Sequence, residues 1–146
     1  MVKQINFKKI GDLEEYTTSQ LRKIANYYLR KYLLQNSERN GKGEIFCPLK
    51  KKWYHEKDME VSHYISRRCK HLELELDNVI LSAKDSNTWD NLIFLTEFGV
   101  SQHIKDYTDY IGNDKANKLK ELKNKTPIQI MTKDYYINKI KYFMET

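Results

Sequence analysis

The chain has 146 residues, with 26 Lys and Arg against 20 Asp and Glu, a formal net charge of +6. This length suits one domain, 1–146, with a real core, and a pI of about 9.1 favours a polyanionic partner. No stretch approaches the ~18 apolar residues of a membrane span, and the opening Met1-Val2-Lys3-Gln4-Ile5-Asn6 develops no apolar signal region, so a cytoplasmic protein without a membrane partner is expected.

Residues 1–17 have weak periodicity and read as an arm, followed by a helix and loop over 18–43. Thr18-Ser19 is expected to cap a helix starting near Gln20, with Leu21, Ile24, Tyr28, Tyr32 and Leu33 as its apolar stripe, and to end near Asn36 before Asn40-Gly41. Glu44 to Cys47 is a short strand stopped by Pro48, and Lys50-Lys51-Lys52 leads on to Trp53-Tyr54. A second strand runs from Met59 to Ile65 with Met59, Val61, His63 and Ile65 on one face. The alternating Leu72-Glu73-Leu74-Glu75-Leu76 reads as half-buried strand or extended loop, leading to a strand at Val79-Ile80-Leu81. Helical spacing then takes over from Ser86 to Phe98, with Gly99 as a stop, and shorter helices follow at 101–110 and 114–123. Pro127 is expected to open a last helix ending near Met144. The predicted order is helix, small β unit over 44–98, and a helical part over 99–146, an α+β chain.

Charge is unevenly spread along this order. Residues 1–57 carry thirteen Lys and Arg against six acids, residues 58–100 four against eight, and residues 101–146 nine against six. An acidic middle between basic flanks suits a metal centre with phosphate-gripping arms. Cys47 and Cys69 have no CxxC partners, so neither a disulfide scaffold nor a four-cysteine zinc site is expected within the chain.

His63 lies in the run Ser62-His63-Tyr64-Ile65-Ser66-Arg67-Arg68, and Asn78, Asn87 and Asn91 follow at intervals of fifteen, nine and four residues. This frame resembles that of an HNH (ββα-metal) nuclease. With the Phe98-Gly99 tract and the helix from Ala25 to Tyr32, the region from Leu21 to Leu122 is similar to the NinG/Rap branch of phage recombination endonucleases. The resemblance implies a small ββα-metal unit flanked by N- and C-terminal helices, and metal-dependent hydrolysis of phosphodiesters in branched or single-stranded DNA. It makes His63 the general base, whose neutral imidazole takes a proton from water, and Asn78 the residue that fixes the loop and orients the base. Asn87 and Asn91, one turn apart on a helix, become ligands of one Mg²⁺ or Mn²⁺.

Two departures from the family pattern shape the expectations. Ser62 stands where many relatives place a metal-binding His or Asp, which makes Glu60 or Asp85 the candidate anionic ligand. Lys50, Ala83 and Ser86 stand where zinc cysteines would fall, so no structural zinc is expected, and packing by Phe46, Trp53, Tyr54 and Trp89 is expected to replace that brace. Arg67 and Arg68 are candidates to clamp a phosphate, and Lys50, Lys51 and Lys52 to grip DNA. The resemblance is compatible with phage origin, a host bacterial cytoplasm, a homodimer and partner recombination proteins. Its rivals are an HNH-fold DNA-binding or protein-interaction module without turnover, and a nuclease acting as toxin or defence effector.

Overall fold

A computed structural model describes residues 5–84, 102–125 and 131–145 of the chain. Among them are helices α1 (Thr18–Gln35), α2 (Gln102–Ile111), α3 (Asn113–Lys125) and α4 (Lys133–Glu145), and strands β1 (Ile45–Cys47), β2 (Lys52–Tyr54), β3 (Met59–His63) and β4 (Val79–Ala83). The strands form two separate antiparallel pairs, β1 with β2 and β3 with β4. Helix and sheet thus occupy different stretches of the chain, the mark of an α+β protein. No described helix is long and apolar enough to cross a membrane. The chain packs as two compact units, residues 1–35 with 128–146, and residues 36–127.

The first unit is built on α1 and α4. Helix α1 opens with a reciprocal capping box. Thr17 Oγ1 accepts from the Gln20 amide at 3.2 Å and Gln20 Oε1 accepts from the Thr17 amide at 2.9 Å. The cap is therefore Thr17, one residue before the expected Thr18-Ser19, because only Thr17 has a glutamine three residues on. Leu21, Ile24, Ala25 and Leu29 are fully buried on α1, while Tyr28 and Tyr32 from the expected stripe are half-buried. Helix α4 contributes Tyr136, Ile137, Ile140 and Phe143, and the Tyr32 ring lies 5.6 Å from Phe143 and 5.9 Å from Tyr142. Its start differs from expectation. Met131 and Thr132 are not helical, and Thr132 Oγ1 accepts from the Tyr135 amide at 3.2 Å. A capping threonine beside Lys133, rather than Pro127, sets where this helix begins.

In the second unit, β1 and β2 pair in the register Ile45↔Tyr54, Phe46↔Trp53 and Cys47↔Lys52. Strand β2 was not foreseen. The turn between them closes with the Lys51 amide donating to the Cys47 carbonyl at 2.8 Å and places Lys51 at φ 57°, a left-handed conformation that favours glycine. Cys47 is fully buried, and its Sγ accepts from the amides of Lys50 at 3.4 Å and Ala83 at 3.3 Å. Alternation then turns Phe46 and Trp53 outward, 41% and 42% exposed. They do not form the packing brace expected of them. Tyr54 is half-buried, and Trp89 lies outside the described residues.

Strands β3 and β4 pair from Met59↔Ala83 to His63↔Val79, joined by the long connection 64–78. The Leu72–Leu76 stretch within it is not a strand. Leu72, Glu73 and Leu74 are all buried, and their amides close local turns, Leu72 onto Cys69 and Glu73 onto Lys70. Leucines buried on both sides of a buried glutamate mimic a sheet period without sheet partners. Helices α2 and α3 meet at Gly112, whose φ of 89° ends α2 while its amide donates to the Thr108 carbonyl.

Candidate functional site

Two of the predicted site residues, His63 and Asn78, sit at one end of the β3–β4 pair. His63 is the last residue of β3 and pairs with Val79, the first of β4, so the connection 64–78 starts and finishes beside it. Asn78 closes that connection. Its side chain is fully buried; Oδ1 accepts from the Ile65 amide at 2.7 Å, and Nδ2 donates to the carbonyls of Ile65 and Leu72, both at 3.0 Å. The Asn78 carbonyl also accepts from the Tyr64 amide at 2.9 Å. One carboxamide thus satisfies three buried backbone groups that belong to no sheet or helix.

The loop held in this way presents a carbonyl to the histidine. His63 Nε2 lies 2.8 Å from the Glu73 carbonyl oxygen. A carbonyl only accepts, so Nε2 carries the proton, and in the neutral ring the lone pair sits on Nδ1. His63 is half-buried. Glu73 itself is 1% exposed, and its importance to the site is through its backbone.

A buried tyrosine ties the strands together behind the histidine. Tyr107, on α2, is fully buried, and its hydroxyl lies 3.2 Å from the Ser62 carbonyl and 3.3 Å from the Asn78 carbonyl, donating to this pair. Burial, helped by the neighbouring Tyr110 and Tyr64, pushes this phenol far above its ordinary range. Its ring stands edge-on to Tyr64 at 5.3 Å, and the Tyr64 hydroxyl bonds Thr108 Oγ1 at 2.9 Å. Neither Tyr107 nor the Glu73 carbonyl was singled out from sequence, where a tyrosine at helical spacing reads as core and a carbonyl has no signature.

The structure sets Glu60 apart from His63. Side chains alternate along β3, so Glu60 and Ser62 share one face and Val61 and His63 the other. Ser62 is buried with its hydroxyl bonded to that of Ser82, and Ser82 is the cross-strand partner of Glu60. Among the described residues, one carboxylate oxygen of Glu60 is buried and meets no hydrogen-bond donor. Arg67 and Arg68 are exposed at the start of the connection, in a turn where Ser66 Oγ accepts from the Arg68 amide at 3.3 Å. Lys50, Lys51 and Lys52 lie at the β1–β2 turn. Cys69 Sγ stands 3.4 Å from His71 Nδ1; burial raises its thiol pKa, against the pull of Lys123. Asp85, Asn87 and Asn91 lie outside the described residues. Among the described residues no three His, Cys, Asp or Glu side chains gather closely enough to hold a metal ion. No family model, no curated protein and no solved structure matches this chain.

Proposed function

We propose that this chain is a metal-dependent DNA endonuclease of the HNH kind, similar to the NinG/Rap branch and acting on branched or single-stranded DNA in phage recombination. The observation that carries the reading is the pairing of His63 Nε2 with the Glu73 carbonyl at the mouth of a loop latched by Asn78. A histidine whose Nε2–H is committed to a carbonyl is held in one ring orientation and one neutral tautomer. That is what proton abstraction from an attacking water requires.

In this reading His63 Nδ1 takes the proton of a water whose oxygen forms the new bond to phosphorus. The bond from phosphorus to the leaving sugar oxygen breaks, and that oxygen is then protonated from solvent. Asn78 acts as a positioning residue, keeping the Glu73 carbonyl where His63 needs it. Arg67 and Arg68, exposed a few residues from the base, meet the phosphates on either side of the cut. Asp85, Asn87 and Asn91 offer one carboxylate and two amide oxygens, a donor set suited by its chemistry to Mg²⁺ or Mn²⁺. Such an ion, when bound, neutralises charge building on the scissile phosphate.

One observation favours the second reading, an HNH-fold binding module without turnover. Glu60, a candidate anionic ligand, is on the strand face opposite His63. The test is cleavage of a DNA panel (duplex, single strand, fork and four-way junction) with Mg²⁺ or Mn²⁺ by wild type and His63→Ala. Loss of roughly 10²-fold or more in the variant, with DNA binding retained, is expected. Equal cleavage by a folded His63→Ala overturns the proposal, and no cleavage by wild type with any metal leaves the binding module in its place.

A further inference from the structure

The β1–β2 hairpin carries a feature that the hydrolytic site does not use. Phe46 and Trp53 are cross-strand partners with ring centroids 5.4 Å apart at an interplanar angle of 57°. They stand 41% and 42% exposed, while Ile45 and Cys47 fill the buried face of the same strand. A single exposed apolar residue is ordinary. Two large rings side by side on a three-residue ladder form a small aromatic patch, a candidate contact surface.

The surroundings of the rings select the partner. Residues 39–57 carry six Lys and Arg against two acids, and Lys51 is exposed in the turn just before Trp53, while Lys52 pairs with Cys47 on the other face of the ladder. Lys51 keeps a charged side chain at φ 57°, where glycine would be the low-energy residue, a strain of the order of 1–2 kcal/mol. Flat rings flanked by flexible cations match the alternating bases and phosphates of an unpaired nucleic-acid strand. Bases inside a duplex are stacked on each other and present no face to such rings.

We infer that the Phe46–Trp53 pair is a stacking platform for unpaired bases, with Lys51 at the adjoining turn holding a neighbouring phosphate. This deepens the proposed nuclease reading and rests on it for the link to cleavage: the preferred substrate contains a single-stranded segment. The hairpin joins β4 through Cys47 Sγ and the Ala83 amide, at the opposite end of the β3–β4 pair from His63. Four residue steps along a strand are about 13 Å, or roughly four nucleotides at the ~3.4 Å spacing of a duplex strand.

The test separates this platform from the nuclease reading by measuring binding in EDTA, where no cleavage contributes. Fluorescence anisotropy is read with a labelled mixed-sequence single strand of roughly 16 nucleotides and with its blunt duplex. Trp53→Ala and Phe46→Ala, checked for fold by circular dichroism, each weaken single-strand binding about tenfold. Both leave duplex binding within about twofold, and Trp53→Tyr, which restores a ring, stays near wild type. Three results overturn the inference: single-strand binding unchanged in both alanine variants, equal losses on single strand and duplex, or a loss in Trp53→Tyr as large as in Trp53→Ala. A parallel measurement with phosphatidylglycerol vesicles covers the membrane alternative; loss of vesicle binding with oligonucleotide binding intact also overturns it. A ring-dependent preference for single strands in a protein that never cleaves DNA keeps the platform and removes the nuclease.

Discussion

Asn78 and Tyr107 act on the site through the backbone, and each makes its own prediction. Replacing Asn78 with Ala strands the Ile65 amide and the Ile65 and Leu72 carbonyls in the interior. Such groups cost about 1–3 kcal/mol each when left unpaired, with sharing and relaxation reducing the total. Asn78→Ala is expected to lower unfolding stability by about 2–4 kcal/mol in urea; a loss under ~0.5 kcal/mol would mean the latch is dispensable. Tyr107→Phe keeps the ring and removes a hydroxyl facing two carbonyls, a cost of about 1–2 kcal/mol near neutral pH. The pH dependence has a definite sign. The fold raises the phenol pKa, so above about pH 10 the unfolded chain releases a proton that the folded chain retains. The stabilisation is complete below that pH and declines above it, by up to ~1.4 kcal/mol per pH unit. Urea unfolding at neutral and alkaline pH is expected to show wild type losing stability more steeply than Tyr107→Phe, and parallel slopes would contradict the assignment. His63 and Asn78 were legible from sequence because their spacing brackets one connection. Tyr107 was not, because its partners are carbonyls 45 and 29 residues away.

Among the elements, those with a strong period and a clear stop were readable. The range Met59–Ile65 contained β3, and the helix expected at 101–110 is found as Gln102–Ile111. Elements fixed by pairing or by one side-chain bond were not. Strand β2 looks like the end of a lysine run, and only its register with β1 makes it a strand. Glu73 broke the Leu72–Leu76 pattern by being buried with its neighbours. At α4 the proline rule competed with a threonine cap, and the cap, which supplies a hydrogen bond to an open helix amide, decided the start. Local bonds of this kind are testable singly. Thr17→Ala removes one half of the α1 capping box and is expected to cost about 1 kcal/mol in thermal or urea unfolding. Lys51→Gly relieves the left-handed residue of the β1–β2 turn while giving the unfolded chain more freedom, for a net gain of up to ~1 kcal/mol. The same change removes a cation from the turn that leads into Trp53, so stability and the proposed single-strand affinity are expected to move in opposite directions. A gain in both would contradict the role given to Lys51.

For the whole molecule, the basic flanks predict how the proposed DNA binding responds to salt. Residues 1–57 and 101–146 each carry an excess of Lys and Arg, and cations that neutralise phosphates release counterions. Affinity is expected to fall on the order of tenfold or more between roughly 50 and 200 mM salt, with little dependence on sequence. A flat salt response would exclude an electrostatic grip. The division into units has a consequence in time. Helix α1 and its partner α4 lie about a hundred residues apart in the chain, and translation proceeds at about 5–20 residues per second. For roughly 5–20 s after α1 leaves the ribosome, Leu21, Ile24 and Leu29 have no α4 to cover them, while residues 36–127 emerge between the two helices as one continuous stretch. During synthesis α1 is therefore made long before its partner, and the nascent chain must keep an apolar helix face in check until α4 has followed it.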